Sequence, residues 1–190
     1  VFVKIIGIFD QAMKEEEVIL VNSKDKILGT MPKMEAHKKG ILHRAFSIFI
    51  LNSNKELLLQ KRSYNKYHSP GLWTNTCCSH QRIDETSIEA GNRRLMEEMG
   101  IKTDLQEVFT FKYKTKFNNG LTEHEFDHVL FGHTDESPKI NLNEVCEWKW
   151  SDIEFIKNDI LMNPNIYTVW FKIIFNQFNK YIDNYEGYSK

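Results

Sequence analysis

The sequence predicts an α+β or α/β sandwich: a mixed β-sheet flanked by helices, with added N-terminal and C-terminal elements. Three observations lead there. Short apolar stretches with strand character recur along the chain, one amphipathic helical segment interrupts them, and further helices close the chain. Composition sets the number of domains. With 190 residues, 41% hydrophobic and 27% charged, the chain suits one packed domain better than two.

The elements follow in order. Glu17 to Asn22 (EVILVN) predicts a strand, and the polar turn Ser23-Lys24-Asp25-Lys26 leads into Ile27–Met31. Arg44 to Leu51 (RAFSIFIL) predicts a buried strand. Asn52 to Lys55 predicts a hairpin turn, with Glu56 to Arg62 as the return strand. Pro70-Gly71 marks a turn before a strand at Leu72–His80. Glu85 to Met99 predicts the first helix, with Ile88, Leu95 and Met99 on its apolar stripe and Gly100 as its cap. Strands follow at Val108–Lys116 and Glu123–Gly132, joined by Asn118-Asn119-Gly120, and a further one at Glu144–Trp150. Ser151, with Glu154 three residues on, predicts a capping box. Beyond Asn163-Pro164-Asn165 a long helix is expected, with Tyr167, Trp170, Phe171, Ile174, Phe178 and Tyr181 along its apolar stripe. Residues 1–16 read as an N-terminal extension, 17–185 as one domain and 186–190 as a tail.

A net charge of −1 gives no global field to attract nucleic acid or an acidic membrane, and no apolar run approaches the length of a membrane span. No nucleic-acid or membrane partner is expected. The chain opens at Val1 rather than Met, and Val1–Phe9 reads as a docked terminal strand or an expression remnant. Cytoplasmic residence is the default expectation, with organellar targeting left open by the missing start. Three Cys are too few for a disulfide framework, which favours a reducing compartment. Arg is scarce, five against twenty Lys, which draws attention to Arg62, Arg93 and Arg94. Aromatics make up 13% of the chain, and core filling accounts for most of them.

Four constellations carry chemistry. Ser79 to Ile101 resembles the Nudix signature at Glu85, Arg93, Leu95, Glu97, Glu98, Gly100 and Ile101, and departs from it at Ser79 and Arg94. Such a helix presents carboxylates to Mg²⁺ on a diphosphate. A bare Glu-Glu pair would more often be an ordinary helix surface; seven matches at fixed spacing argue otherwise. A cation at Arg94 removes one metal ligand and adds a phosphate-binding group, so the site suits holding a diphosphate more than cutting it. In Thr74–His80, a strand puts Cys78 and His80 on one face and Cys77 on the other. Cys77 fits a buried small hydrophobe, while Cys78 becomes reactive only beside positive charge or metal. Glu123 and Glu125 share a strand face opposite His124, which is costly on a buried strand without cations. Singly, His37 and His43 would be structural; with His80, Glu123 and Glu125 they could make an N/O site for a divalent metal.

Taken in chain order, Glu35-Ala36-His37, Leu42 to Ser47, Thr74 to His80, Arg93-Arg94-Leu95 with Glu98, and Glu123-His124-Glu125 resemble the type I isopentenyl-diphosphate isomerases. These are Nudix-fold enzymes of isoprenoid synthesis, and the resemblance runs from about Glu17 to Tyr181. It implies a divalent metal (Mg²⁺, Mn²⁺ or Zn²⁺) at His37, His43, His80, Glu123 and Glu125. It implies Cys78 and Glu125 as acid–base residues, assisted by Tyr113, with the Glu125 side as proton donor and Cys78 as base. Glu98 would hold a Mg²⁺ bridging to the diphosphate, and Lys33, Arg62, Lys66 and Arg94 would hold its oxygens. Trp170 matches the family's active-site tryptophan, whose π face would stabilise a tertiary carbocation. The implied partner is a small isoprenoid diphosphate and the implied state a monomer or weak dimer. The rivals are a Nudix hydrolase of a nucleoside diphosphate derivative, which would release phosphate or nucleotide, and a non-catalytic metal- or diphosphate-binding module, which would fold and bind without turnover.

Overall fold

A computed structural model describes residues 16–182; the expected terminal strand at Val1–Phe9, most of the N-terminal extension and the C-terminal tail lie outside the described residues. β1 (Glu17–Val21) and β2 (Ile27–Pro32) form a hairpin. Then come α1 (Lys33–Lys39), β3 (His43–Leu51), β4 (Leu57–Arg62), β5 (Trp73–Thr74) and β6 (Cys77–Ser79). The rest is α2 (Ser87–Met99), β7 (Gln106–Lys116), β8 (Thr122–His133), β9 (Val145–Ser151), α3 (Ile153–Met162), a 3₁₀ turn at Pro164–Ile166 and α4 (Val169–Ile182).

β3 organises the molecule. It runs parallel to β8 over its whole length, from His43↔Glu125 to Leu51↔His133, and antiparallel to β6 on its other side. Alternation along β3 feeds two cores. Phe46, Ile48 and Ile50 join Ala90, Leu95 and Met99 of α2, while Phe49 and Leu51 join Ile156 of α3 and Trp170, Phe171 and Ile174 of α4. A buried strand with large side chains on both faces therefore sits between two helical layers, as a sandwich requires. α2 approaches closely because Gly91 has no side chain: a Cβ there would lie 2.8 Å from Leu130 Cδ1.

Several expectations need correction. The first helix is α1, whose seven residues are too few for a readable helical period. α2 begins at Ser87, because Thr86 caps it through a reciprocal capping box with Glu89. Ile88 is 39% exposed, and the buried stripe of α2 runs through Ala90, Gly91, Leu95 and Met99. β3 and β4 share the expected turn but pair only at Leu51↔Leu57; β4 then pairs with β5 and β9. The strand expected at Leu72–His80 is two short pieces. Asn75 and Thr76 between them turn buried side chains to backbone carbonyls, Asn75 Nδ2 donating to Ile48 and Cys77, and Thr76 Oγ1 to Leu58. Asp152, not Ser151, caps α3, accepting from the Phe155 N–H. Tyr167 is buried but precedes α4, and Phe175 joins the α4 stripe; the side chain of Phe178 lies outside the described residues.

Candidate active site

Strand register assembles the site. The β3–β8 pairing sets His43 opposite Glu125, the β7–β8 pairing sets Tyr113 opposite Glu125, and the β3–β6 pairing sets Cys78 opposite Ser47. Cys77 turns into the α2-side core and Cys78 away from it, as the strand alternation predicts. A cavity of about 230 Å³ opens here. Cys78, His80, Tyr113, Glu123, Glu125, Trp170, Lys33, Arg62, Lys66, Arg94 and Glu98 all line it. His37 and His43 do not; both are fully buried in a cluster with His80 and Glu125.

That cluster has the chemistry of a cation site. One ligand atom each from His37, His43, His80 and Glu125 lies within 4.8 Å of the others. His37 Nδ1 lies 2.7 Å from the Lys33 carbonyl and His43 Nδ1 2.8 Å from the Ile41 carbonyl. Each carbonyl can only accept, so each Nδ1 carries the hydrogen and each Nε2 offers a lone pair. Both Nε2 atoms are buried without a partner, as is His80 Nδ1. Burial holds His37 down at about 4 and His80 at about 3, the neutral form a ligand needs. Three buried imidazoles, each with an orphaned nitrogen, around a carboxylate fit a divalent ion.

The carboxylates beside it are short of protons. Tyr113 Oη lies 2.8 Å from Glu123 Oε2 and 2.6 Å from Glu125 Oε2, yet it has one hydrogen to give. Burial and the neighbouring Glu125 charge push Glu123 up to about 8. Burial would raise Glu125 too, but contacts from His43 and His80 outweigh it and hold the group well below the usual carboxylate range. Burial pushes the Cys78 thiol up to about 12 despite the Arg62 charge nearby. Burial thus favours the thiol form of Cys78. Asp127, next on the same strand face, is also raised by burial and the Glu125 charge, and accepts from Ser47 Oγ at 2.8 Å.

At the opposite side of the cavity, cations meet acids. Arg94 pairs with Glu97 at 2.7 Å and with Glu98, and reaches Glu144 at 3.4 Å. Lys66 pairs with Glu144, and Lys33 with Glu16 at 3.0 Å. Glu98 is 2% exposed and accepts from Gln60 Nε2 at 3.1 Å. Arg62 donates to the Ser69 and His68 carbonyls and lies over the Trp170 ring, 5.2 Å from its centroid. Behind them Arg93 clamps Glu85 through two hydrogen bonds of 2.6 and 2.8 Å, which ties the loop before α2 to its middle.

Sequence reasoning missed three groups. Glu144 was assigned only to a strand, although it sits between Lys66 and Arg94. Asp127 shares the Glu123–Glu125 alternation and was legible as its third member. His68 is buried with Nε2 at 3.0 Å from Glu123 Oε1, and a lone His in a loop carries no pattern that would announce it.

Comparison with known proteins finds relatives by sequence and by fold. A family model described as NUDIX domain matches residues 41–169. The chain is 50% identical to "Isopentenyl-diphosphate Delta-isomerase 2" of Aromatoleum aromaticum over 156 residues, 82% of each chain. It is 47% identical to "Isopentenyl-diphosphate Delta-isomerase" of Pectobacterium atrosepticum over 165 residues, 87% of this chain and 92% of that one. Among solved structures, a Deinococcus radiodurans protein superposes with a TM-score of 0.65 at 20% identity, covering 78% of this chain and 90% of its own. A MutT protein of Methanosarcina mazei gives 0.61 at 21%, covering 76% and 96%. These two share the fold.

Proposed function

The chain belongs to the isopentenyl-diphosphate Delta-isomerases of the NUDIX-domain family, and on that premise we propose that its cavity converts isopentenyl diphosphate to dimethylallyl diphosphate. A proton is added at the terminal methylene carbon and another leaves the carbon nearer the diphosphate. An alkene is a very weak base, so the acid must be positioned at it, and the intermediate is a tertiary carbocation that water would capture outside a closed pocket.

The observation that carries this reading is the placement of Cys78 and Glu125. β6 and β8 flank β3 on opposite sides, so two proton-transfer groups reach one cavity from two directions. Isomerisation is reversible, and each group is acid in one direction and base in the other. The family resemblance names the Glu125 side as donor to the alkene. Tyr113 then acts as the hydrogen-bonding bridge that keeps Glu125 and Glu123 in place. Lys33, Arg62, Lys66 and Arg94 hold the diphosphate oxygens. Arg62 lies over the Trp170 ring, and Trp170, which lines the cavity, would offer its π system to a carbocation.

His37, His43, His80, Glu123 and Glu125 would hold one divalent ion (Mg²⁺, Mn²⁺ or Zn²⁺), and Glu98 a Mg²⁺ on the diphosphate. Bound there, the ions supply positive charge that offsets the buried carboxylates and the diphosphate.

The hydrolase reading is not favoured, because Arg94 engages Glu97 and Glu98 where a hydrolase would gather metal-binding carboxylates. Incubation of the metal-replete chain with isopentenyl diphosphate in deuterated water tests the reaction. Deuterium in dimethylallyl diphosphate is expected. Unchanged substrate, or released inorganic phosphate, would overturn the assignment.

A further inference from the structure

His68 lies on the loop between β4 and β5, outside every motif that marks the site, yet it is 6% exposed and held on all sides. Its ring stacks on Phe117 at 5.0 Å and meets Trp170 edge-on at 5.7 Å. Its carbonyl accepts from Arg62 Nη2 at 3.1 Å. Nδ1 faces the Ser69 hydroxyl at 3.5 Å, a group that can donate to it. Nε2 lies 3.0 Å from Glu123 Oε1. The tautomer this favours carries hydrogen on Nε2 and donates to the carboxylate.

Glu123 Oε2 meets Tyr113 Oη at 2.8 Å. The two oxygens of Glu123 are therefore gripped by different side chains, from the β4–β5 loop and from β7. Ligand atoms of His37, His68 and Glu123 lie within 4.8 Å of one another, so this grip borders the cation cluster. A lone pair cannot serve two ions. His37 has one free nitrogen, which leaves His68 better suited to orient the carboxylate than to build a second site.

We propose that His68 is a positioning residue of the cation site: its Nε2–H fixes the Glu123 carboxylate toward the ion, and its carbonyl ties that carboxylate's holder to Arg62 on the diphosphate side. The inference rests on the reading that the His/Glu cluster holds a divalent cation. Groups that orient ligands from behind change metal affinity about 10–100-fold when removed.

The test is Mn²⁺ binding by the full, metal-stripped chain, with free Mn²⁺ read by electron paramagnetic resonance. Three variants are compared, each checked for folding by its thermal melt. His68→Phe and His68→Met remove the donor while filling the space; His68→Gln keeps an N–H. Weakening by about 10–100-fold in Phe and Met, with Gln near wild type, is expected. Wild-type affinity in a folded Phe or Met variant overturns the inference, and so does a Gln variant as weak as Met, since that would make the imidazole itself a ligand. If Phe does not fold, the Met–Gln pair decides. A wild-type chain that binds no Mn²⁺ sinks the cation reading as a whole. Wild-type binding with unchanged variants sinks only the role of His68.

Discussion

Cys77 and Cys78 are neighbours in the chain and face opposite sides of β6, one into the α2 core and one toward the cavity. Their substitutions should therefore separate stability from chemistry. Cys78→Ala and Glu125→Gln should each lower kcat by about 10²–10⁴-fold with little change in the melting temperature of the chelated protein. Cys77→Ser should keep kcat and lose about 1–3 kcal/mol of stability, because a hydroxyl is buried at a position with no exposure. Steady-state kinetics beside urea unfolding measures both, and equal kinetic damage at 77 and 78 would refute the assignment of faces. At this scale the sequence was informative wherever a side chain belonged to a spaced pattern. Cys78 with His80 and Glu123 with Glu125 were legible from strand alternation alone. His68 and Glu144 were not, because each acts through a contact between segments far apart in the chain, and nothing in the local spacing records that contact.

α2 shows which elements a sequence reveals. It has a capping box, a helical stripe and a terminal Gly100 with φ of 65°, three local signals in agreement. α1 has seven residues and no side-chain cap at its start, and β5 and β6 have two and three residues, all below the length at which periodicity speaks. The partners of β3 and β4 were hidden for another reason: a hairpin turn announces a return strand but not which strand it pairs with. The Arg93–Glu85 clamp makes a prediction for α2. Arg93 holds the Glu85 carboxyl below its ordinary value of 4.5. A depressed carboxylate stabilises the fold fully above the unfolded value, and that contribution fades as pH falls below 4.5 toward the lower folded value. Glu85→Gln should cost about 1 kcal/mol at pH 7, the upper end for a partly exposed bidentate pair. The gap from wild type should narrow as the pH falls below 4.5. Urea unfolding across that range checks it; a gap that stays constant with pH would mean that the loss is not electrostatic.

The cation cluster draws ligands from α1, β3, β8 and the residue following β6, so it joins elements separated by most of the domain. One nitrogen of each of its imidazoles is buried without a hydrogen-bond partner, and unpaired buried polar groups cost stability. A bound ion would satisfy them in the folded state alone, since the unfolded chain does not bring residues 37, 43, 80 and 125 together. Stability should thus depend on metal by mass action. At a free ion concentration about 100 times Kd the gain is about 2.7 kcal/mol. For a chain of this size that is a rise in melting temperature of roughly 5–10 °C over the chelated protein. The rise should vanish in His43→Ala, whose Nε2 is one of the cluster's orphaned nitrogens, and persist in Cys78→Ala, which lines the cavity without belonging to the cluster. Melting curves of chelated and Mn²⁺-reloaded protein decide the matter. An equal shift in His43→Ala would place the ion elsewhere, and no shift in wild type would mean that the four elements are held by packing alone. The NUDIX frame then does two things at once: it closes a sandwich on both faces of β3, and at the end where β3 begins it leaves buried nitrogens arranged as a cation site beside Glu125, the proposed proton-transfer carboxylate.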